Sequence, residues 1–391
     1  MALLQIVKFT PSDKKRIKEF VKFLKVLYKN DQFYIPPLNM ELMGNKLLGE
    51  VGLLTEKHPF HKYSETVYFL AYKDGKVVGH IAALINKRFN EHENTKSGHF
   101  GFFEVIQDYE VAKALFDEAT NWVRKQGMTK INGPFNFTVH HTLGMLIDPF
   151  DDYPFMGTVY NKPYYRDFAE KYGFVKEKDL IGQLMSVVKD INTDNRMRRL
   201  SGLVDKIKER HGIMVRPINL SDFMNELKII HPIYNSAWSE NWAAIPIDFD
   251  EFKLIAENLK LIADPGVFLI AYKDDKPVAF IGAVPDTNEM IRSNQKSIFG
   301  NSEILRILKI FLKRRKVKRV RLMLFGILKE YRKIGLDSLL YYESFRYAFD
   351  KGTYEECEIS WLLEDNVLVI RAGESMNAKQ SRLWRIYQKE L

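Results

Sequence analysis

Phe69-Leu-Ala-Tyr-Lys-Asp-Gly-Lys-Val-Val-Gly-His-Ile-Ala-Ala-Leu84 and Leu269-Ile-Ala-Tyr-Lys-Asp-Asp-Lys-Pro-Val-Ala-Phe-Ile-Gly-Ala-Val284 are two versions of one segment, 200 positions apart. Between Ala71 and Leu84, eight of fourteen positions match their partner at +200. Each version is an apolar run, a Lys-Asp-Gly or Lys-Asp-Asp turn and a second apolar run, which is the pattern of a β-hairpin. A 200-residue period is too long for a solenoid and marks a duplicated domain.

The chain has 391 residues, enough for two domains of about 150–200 residues each. Its composition is globular, with 27 Phe and 19 Tyr to fill large cores. The single cysteine, Cys357, excludes a disulfide framework and a cysteine-based zinc site. With no apolar run long enough for a signal peptide or a bilayer crossing, a cytoplasmic location without a membrane partner is expected. The net charge of +9 favours an anionic ligand without choosing among nucleotide cofactor, nucleic acid and acidic surface.

Both halves read strand, helix or helices, hairpin, strand, helix, strand, helix, strand, the order of a mixed α/β sheet with helices on both faces. The expected division is 1–188, a charged linker helix over 189–212 that reads as a solvated connector, and 213–391. In the first half, Ser12 is the expected cap of a helix whose apolar positions are Ile17, Phe20, Val21 and Leu24.

The stretch with the most chemical content is Arg319-Val-Arg-Leu-Met-Leu-Phe-Gly-Ile-Leu-Lys-Glu-Tyr-Arg-Lys-Ile-Gly-Leu-Asp-Ser-Leu-Leu340. A strand, a basic glycine-containing turn and a helix start make an anion site, because the helix N-terminus offers unpaired N–H groups and partial positive charge. Arg332 and Lys333 add charge, and Gly335 lets the backbone approach a phosphate.

Here the sequence resembles the GNAT superfamily of acyl-CoA-dependent N-acyltransferases. The family's pyrophosphate loop, Arg/Gln-x-x-Gly-x-Gly/Ala, matches Arg332-Lys-Ile-Gly335, with Asp337 where the family has a small residue. Ile359-Ser-Trp-Leu-Leu-Glu-Asp-Asn366 resembles the next strand and the Asn that opens the following helix, and Arg385-Ile-Tyr387 resembles the closing strand. In the first half, Asn161 to Phe174 and Gly133 to Asp148 resemble the same fold in a tandem subgroup. The loop there, Phe103-Glu-Val-Ile-Gln-Asp-Tyr-Glu110, lacks Arg-x-x-Gly, and its acids would repel a pyrophosphate.

The resemblance implies one acyl-CoA site, for acetyl-CoA or another acyl-CoA, in the second half. It implies binding by Phe325, Gly326, Ile327, Arg332, Lys333, Ile334, Gly335, Leu336, Asp337 and Asn366. Pantetheine would lie along Leu324 to Leu328 as an added strand, and the acceptor would be a small-molecule or peptide amine. Glu364 is the candidate base, weighed against a helix-start acid stabilised by the dipole. No tyrosine lies within 367–377 to protonate the leaving thiolate. Trp238, Glu240 and Trp242 are candidates for the acceptor pocket, weighed against packing between two helices.

The implied activity is N-acetyl or N-acyl transfer. The alternatives are a non-catalytic binding module on the same fold and an aminoacyl-tRNA-dependent transferase. The tract Lys313-Arg-Arg-Lys-Val-Lys-Arg-Val-Arg321 is read as attraction for a CoA phosphate or nucleic acid, weighed against a solvated helix end. It lacks the aromatic interleaving of a single-strand platform, so nucleic acid is not favoured. His58-Pro-Phe-His61 and His140-His141 do not have metal-ligand spacing. Oligomeric state is not legible in the sequence.

Overall fold

The structure, a computed structural model, describes residues 3–46, 49–187, 194–292 and 302–391. It divides into two units: Met1–Leu180 together with Arg382–Leu391, and Ile181–Ser381. The C-terminal decade, which the sequence reading gives to the second half, therefore lies in the first unit.

In the first unit, strands β1 (Leu4–Phe9), β2 (Ser64–Lys73), β3 (Lys76–Asn86), β4 (Ser97–Val105) and β5 (Lys130–Gly133) follow one another across the sheet. Helix α1 (Lys14–Leu27) follows β1 and α2 (Tyr109–Lys125) follows β4; later come β6 (Met145–Asp148), α3 (Tyr165–Tyr172) and β7 (Val175–Ser186). Asp13, not Ser12, caps α1: its carboxylate accepts from the Arg16 N–H at 3.0 Å. Aspartate is already ionised there and suits the positive helix end. The α2 face that packs on the sheet is Val111, Leu115, Ala119 and Val123, all buried.

The second unit takes the end of β7 and adds α4 (Asn195–His211), β8 (Ile213–Pro217), α5 (Phe223–Trp238), α6 (Phe249–Lys260), β9 (Phe268–Lys273) and β10 (Lys276–Pro285). Next come α7 (Glu303–Lys313), β11 (Arg319–Ile327), α8 (Leu336–Lys351), β12 (Glu356–Leu363) and α9 (Val367–Ser375). Its strand order is β8-β9-β10-β11-β12-β7. The final strand, β13 (Lys379–Glu390), passes from the second unit into the first. There Tyr387 faces Gly133 of β5 and Arg385 faces Met145 of β6. The closing strand thus completes the first unit, where Trp384, Ile386 and Tyr387 are fully buried.

The duplication is visible in the register. Both hairpins pair antiparallel and carry the same bulge, at Ala71/Tyr72 and Ala271/Tyr272. Both turns put two residues at positive φ, Asp74 (49°) with Gly75 (71°) and Asp274 (48°) with Asp275 (60°), as a type I′ turn requires.

The expected linker helix is α4, a structural part of the second unit; residues 189–193 of that linker lie outside the described residues. Met197, Val204 and Ile207 recur at helical spacing, and Val204 and Ile207 enter the core beside Leu336, Leu339 and Leu340 of α8. This apolar stripe was obscured by the charge around it.

Candidate functional site

Strands β11 and β12 run parallel and pair from Arg319↔Glu356 to Leu322↔Ile359. Beyond that point Met323 to Ile327 extend past the paired stretch. On its other side β11 pairs antiparallel with β10, and the register shifts between Gly282 and Ala283, leaving Met323 as the extra residue of a bulge. The bulge therefore sits where β11 and β12 part.

The orientation of the free stretch follows from one bond. The Leu328 N–H donates to the Val278 carbonyl at 3.0 Å. By alternation, Gly326 turns its backbone groups towards β10, while Phe325 and Ile327 turn theirs to the open edge. Side chains at that edge agree: the Trp238 indole donates to the Phe325 carbonyl at 3.1 Å, and Arg332 Nε to the Ile327 carbonyl at 3.4 Å. Gly326 is required by packing, since a Cβ there would meet Phe280 at 2.6 Å and Ala237 at 3.1 Å.

The chain then turns through Lys329–Tyr331 and enters α8 at Gly335, which has φ 84°. A Cβ at Gly335 would also meet Ile207 Cδ1 of α4 at 2.6 Å. Leu336 is buried and Ile334 packs against the core, so both anchor the turn from within. Lys333 is exposed. Arg332 is bound to Glu240 Oε2 at 3.0 Å and to the Ala237 carbonyl at 3.2 Å, and Lys329 reaches Glu240 Oε1 at 2.8 Å. Lys329 and Arg332 hold the Glu240 carboxyl below the usual range. Asp337 occupies the first turn of α8, where the helix dipole favours an acid. Its charge also helps raise the hydroxyl of Tyr341, whose shift is due first to burial. Tyr341 stacks on Phe325 at 5.1 Å, an aromatic pair beside the open edge.

Because β11 and β12 are parallel, their C-terminal ends emerge on the same side of the sheet, so the basic turn and residues 364–366 share it. Asn366 is the N-cap of α9 as expected, without a side-chain cap bond. Glu364 is half-buried in the turn before it. The structure brings Trp238 and Glu240 to the β11 turn, and Trp238 also stacks on Tyr234 at 4.8 Å. Trp242 is half-buried in the α5–α6 connection.

Sequence reasoning missed a buried polar network where the two strands part. Arg321 donates to Ser360 Oγ at 2.9 Å and to the Ser360 carbonyl at 3.2 Å, and Ser360 Oγ donates to Glu358 at 2.7 Å. The Arg321 guanidinium lies over the Trp361 ring at 4.7 Å, and burial pulls its pKa down to about 10. The signal was present: Glu358 and Ser360 alternate with Cys357 and Ile359, giving a strand with one polar and one apolar inward face.

The first unit builds the same notch and fills it. Strands β4 and β5 pair in parallel only from Ser97↔Lys130 to His99↔Asn132, and the Ile106 N–H donates to the Val78 carbonyl at 3.0 Å. Val105 thus takes the place of Ile327, each paired with +200 partners, Gly79 and Ala279. Here the Tyr165 hydroxyl accepts from the Val105 N–H at 2.8 Å, and the Tyr164 hydroxyl donates to the Val105 carbonyl at 2.8 Å. Asn136 accepts from the Phe102 N–H at 2.7 Å. The hydroxyls of Tyr28 and Tyr165 both donate to Glu104 at 2.7 Å, and burial pushes its carboxyl up to about 7. His58, His61 and His141 gather around Phe137, with burial holding His58 near 3 and His61 near 4. Among the described residues no His, Cys, Asp or Glu cluster forms a metal site.

No protein-family model matches the chain. Protein YghO of Escherichia coli (strain K12) is 31% identical over 384 residues, covering 97% of this chain and 94% of its own. A protein of Caulobacter vibrioides named bacterial ceramide synthase is 28% identical over 388 residues, 98% of this chain and 96% of its own. Among solved structures, a tandem GNAT protein from the clavulanic acid biosynthesis pathway superposes with a TM-score of 0.56 at 12% identity, covering 99% and 98% of the two chains. A GCN5-related N-acetyltransferase from Sphaerobacter thermophilus gives 0.50 at 12% identity over 99% and 95%. The fold is thus the tandem GNAT acyltransferase fold that the hairpin repeat and the Arg332–Gly335 turn resemble, and the chain belongs to the family of Protein YghO.

Proposed function

We propose that this protein is an acyl-CoA-dependent N-acyltransferase with one donor site, at the β11 edge of the second unit, and a long-chain lipid amine as acceptor. The observation that carries the donor site is the contrast between two equivalent edges: the outward N–H and carbonyl of Val105 are taken by Tyr165 and Tyr164 and the Phe102 N–H by Asn136, whereas the side chains at the β11 edge, Trp238 and Arg332, bond the carbonyls of Phe325 and Ile327 and not their N–H groups. The acceptor class rests on the full-length relative named bacterial ceramide synthase, since a ceramide is the amide of a fatty acid with a long-chain amine.

On this reading the pantetheine arm adds to β11 as a short strand, with the outward N–H groups of Phe325 and Ile327 as donors. One of them polarises the thioester carbonyl. The amine nitrogen attacks the carbonyl carbon, the C–N bond forms and the C–S bond breaks, its electron pair leaving with the thiolate. The ammonium proton passes to a carboxylate, a role we assign to Glu364, and the thiolate is protonated in turn. Gly335 and the start of α8 face the pyrophosphate, with Lys333 at hand. Glu240 competes with the phosphates for Lys329 and Arg332, and Asp337 opposes their charge, so donor binding must displace the Glu240 pairs.

The test is to mix the protein with acyl-CoA and a long-chain amine and to follow thiol release and amide mass. Stoichiometric amide and free CoA are expected, with Glu364→Gln lowering kcat by about 100-fold. Acyl-CoA binding without amide would leave a binding module on this fold, the reading that the Glu240 and Asp337 charges favour.

A further inference from the structure

Helix α7 is inside out. Successive residues turn by about 100°, so Ile304, Leu305, Ile307, Leu308, Phe311 and Leu312 share an arc of roughly 160°. That arc faces outwards: Ile304 is 78% exposed, Leu312 68% and Phe311 57%. On the opposite side Arg306 is only 6% exposed. A helix surrounded by water would turn the other way, because each exposed apolar side chain forgoes about 1.5–3 kcal/mol of burial.

The surroundings are mostly cationic, with one acid, Glu303, in the first turn of the helix. From Ile304 to Lys318 the chain carries seven basic residues and no acidic one. Lys318 is committed to Glu355 at 2.7 Å, but Lys313, Arg315 and Lys316 are exposed at the end of the apolar arc. Arg314 lies over the Phe311 ring at 4.4 Å and donates to the Leu261 carbonyl at 2.9 Å. That bond joins Leu261, itself 61% exposed, to the patch.

We propose that α7 and the Arg314–Lys316 turn dock the protein on an anionic phospholipid surface, the apolar arc entering the acyl boundary and the basic turn meeting the headgroups. An outward apolar arc of this width, flanked by Lys309, Lys313, Arg315 and Lys316 with a single acid, Glu303, at the helix start, is the make-up of a helix that lies in a membrane interface. The eleven-residue helix is too short to span a bilayer, so the contact is peripheral. The expectation of no membrane partner, drawn from the lack of a spanning segment, does not reach this mode. The inference goes beyond acyl transfer and stands if that reading fails.

The experiment is co-sedimentation of the full chain with vesicles of phosphatidylcholine alone or mixed with phosphatidylglycerol. Binding to the mixed vesicles that weakens with added salt is expected. Arg315→Ala and Lys316→Ala should each lower partitioning about five-fold. Leu308→Glu combined with Leu312→Glu should lower it about ten-fold or more, with thermal unfolding and acyl-CoA binding unchanged. In an otherwise intact chain, Phe311→Trp should shift its emission to the blue on mixed vesicles. Absence of binding, binding insensitive to the apolar substitutions, or a concentration-dependent dimer that Leu308→Glu with Leu312→Glu dissolves would each overturn the proposal, the last by making a second copy the occupant.

Discussion

His80 shows how one residue separates the duplicated halves. It is buried, stacks on Phe20 at 3.6 Å and bonds the Phe102 carbonyl through Nδ1 at 2.7 Å; its counterpart at +200 is Phe280. Burial pulls its pKa down to about 3. The unfolded chain takes up that proton near pH 6.5, so it binds more protons than the native state between about pH 3 and 6.5, and stability falls as pH falls through that window. His80→Phe forgoes the bond to Phe102, about 1 kcal/mol at neutral pH. Between pH 7.5 and 5 it should gain about 2 kcal/mol on wild type, ending about 1 kcal/mol the more stable at pH 5. Denaturant titrations of both proteins at pH 7.5 and 5 measure the shift; parallel pH profiles would show that His80 is not held neutral.

At the scale of elements, the turn between β11 and α8 should be intolerant of a side chain. Gly335→Ala places a Cβ at φ 84° and 2.6 Å from Ile207, which should destabilise the second unit by about 1–2 kcal/mol. It should weaken acyl-CoA binding at least ten-fold; Gly75→Ala, at φ 71° with open space around it, should cost about 1 kcal/mol and leave binding alone. Calorimetric titration with melting curves separates the two effects. The hairpins and α8 are local devices, and their turn residues and periodicities were legible in the sequence; the bulges, which appear only in the strand register, were not. The Trp238–Phe325 bond and the plugging of the first notch by Tyr164 and Tyr165 were not. They join residues 87 and 59–60 positions apart, and no local pattern encodes such pairings. Helix α7 was missed for another reason: its basic end drew the reading towards anion binding, and an outward apolar arc runs against the usual rule for burial.

For the whole molecule, the fold class and the duplication followed from the repeat, whereas the path of the last strand did not. Arg385-Ile-Tyr387 reads correctly as a closing strand, but alternation specifies a strand's faces and not its partner. Because Trp384, Ile386 and Tyr387 fill the core of the first unit, deleting residues 382–391 should unfold that unit although its other elements precede residue 181. Three large buried side chains contribute about 5–9 kcal/mol, comparable to the whole stability of a domain. Limited proteolysis of the truncated chain should cut within residues 64–125; protection equal to wild type would refute this account.

The central claim is that the two notches have different fates: in the first unit side chains take the outward N–H groups, and on β11 the N–H groups of Phe325 and Ile327 are kept for the donor. Hydrogen exchange with and without acyl-CoA tests it most directly. The account predicts new protection in the segment Phe325–Gly335 and none in Phe102–Asp108, whose edge groups are already bonded to Tyr164, Tyr165 and Asn136. Protection confined to Phe102–Asp108, or no change in either segment at millimolar acyl-CoA, would contradict it.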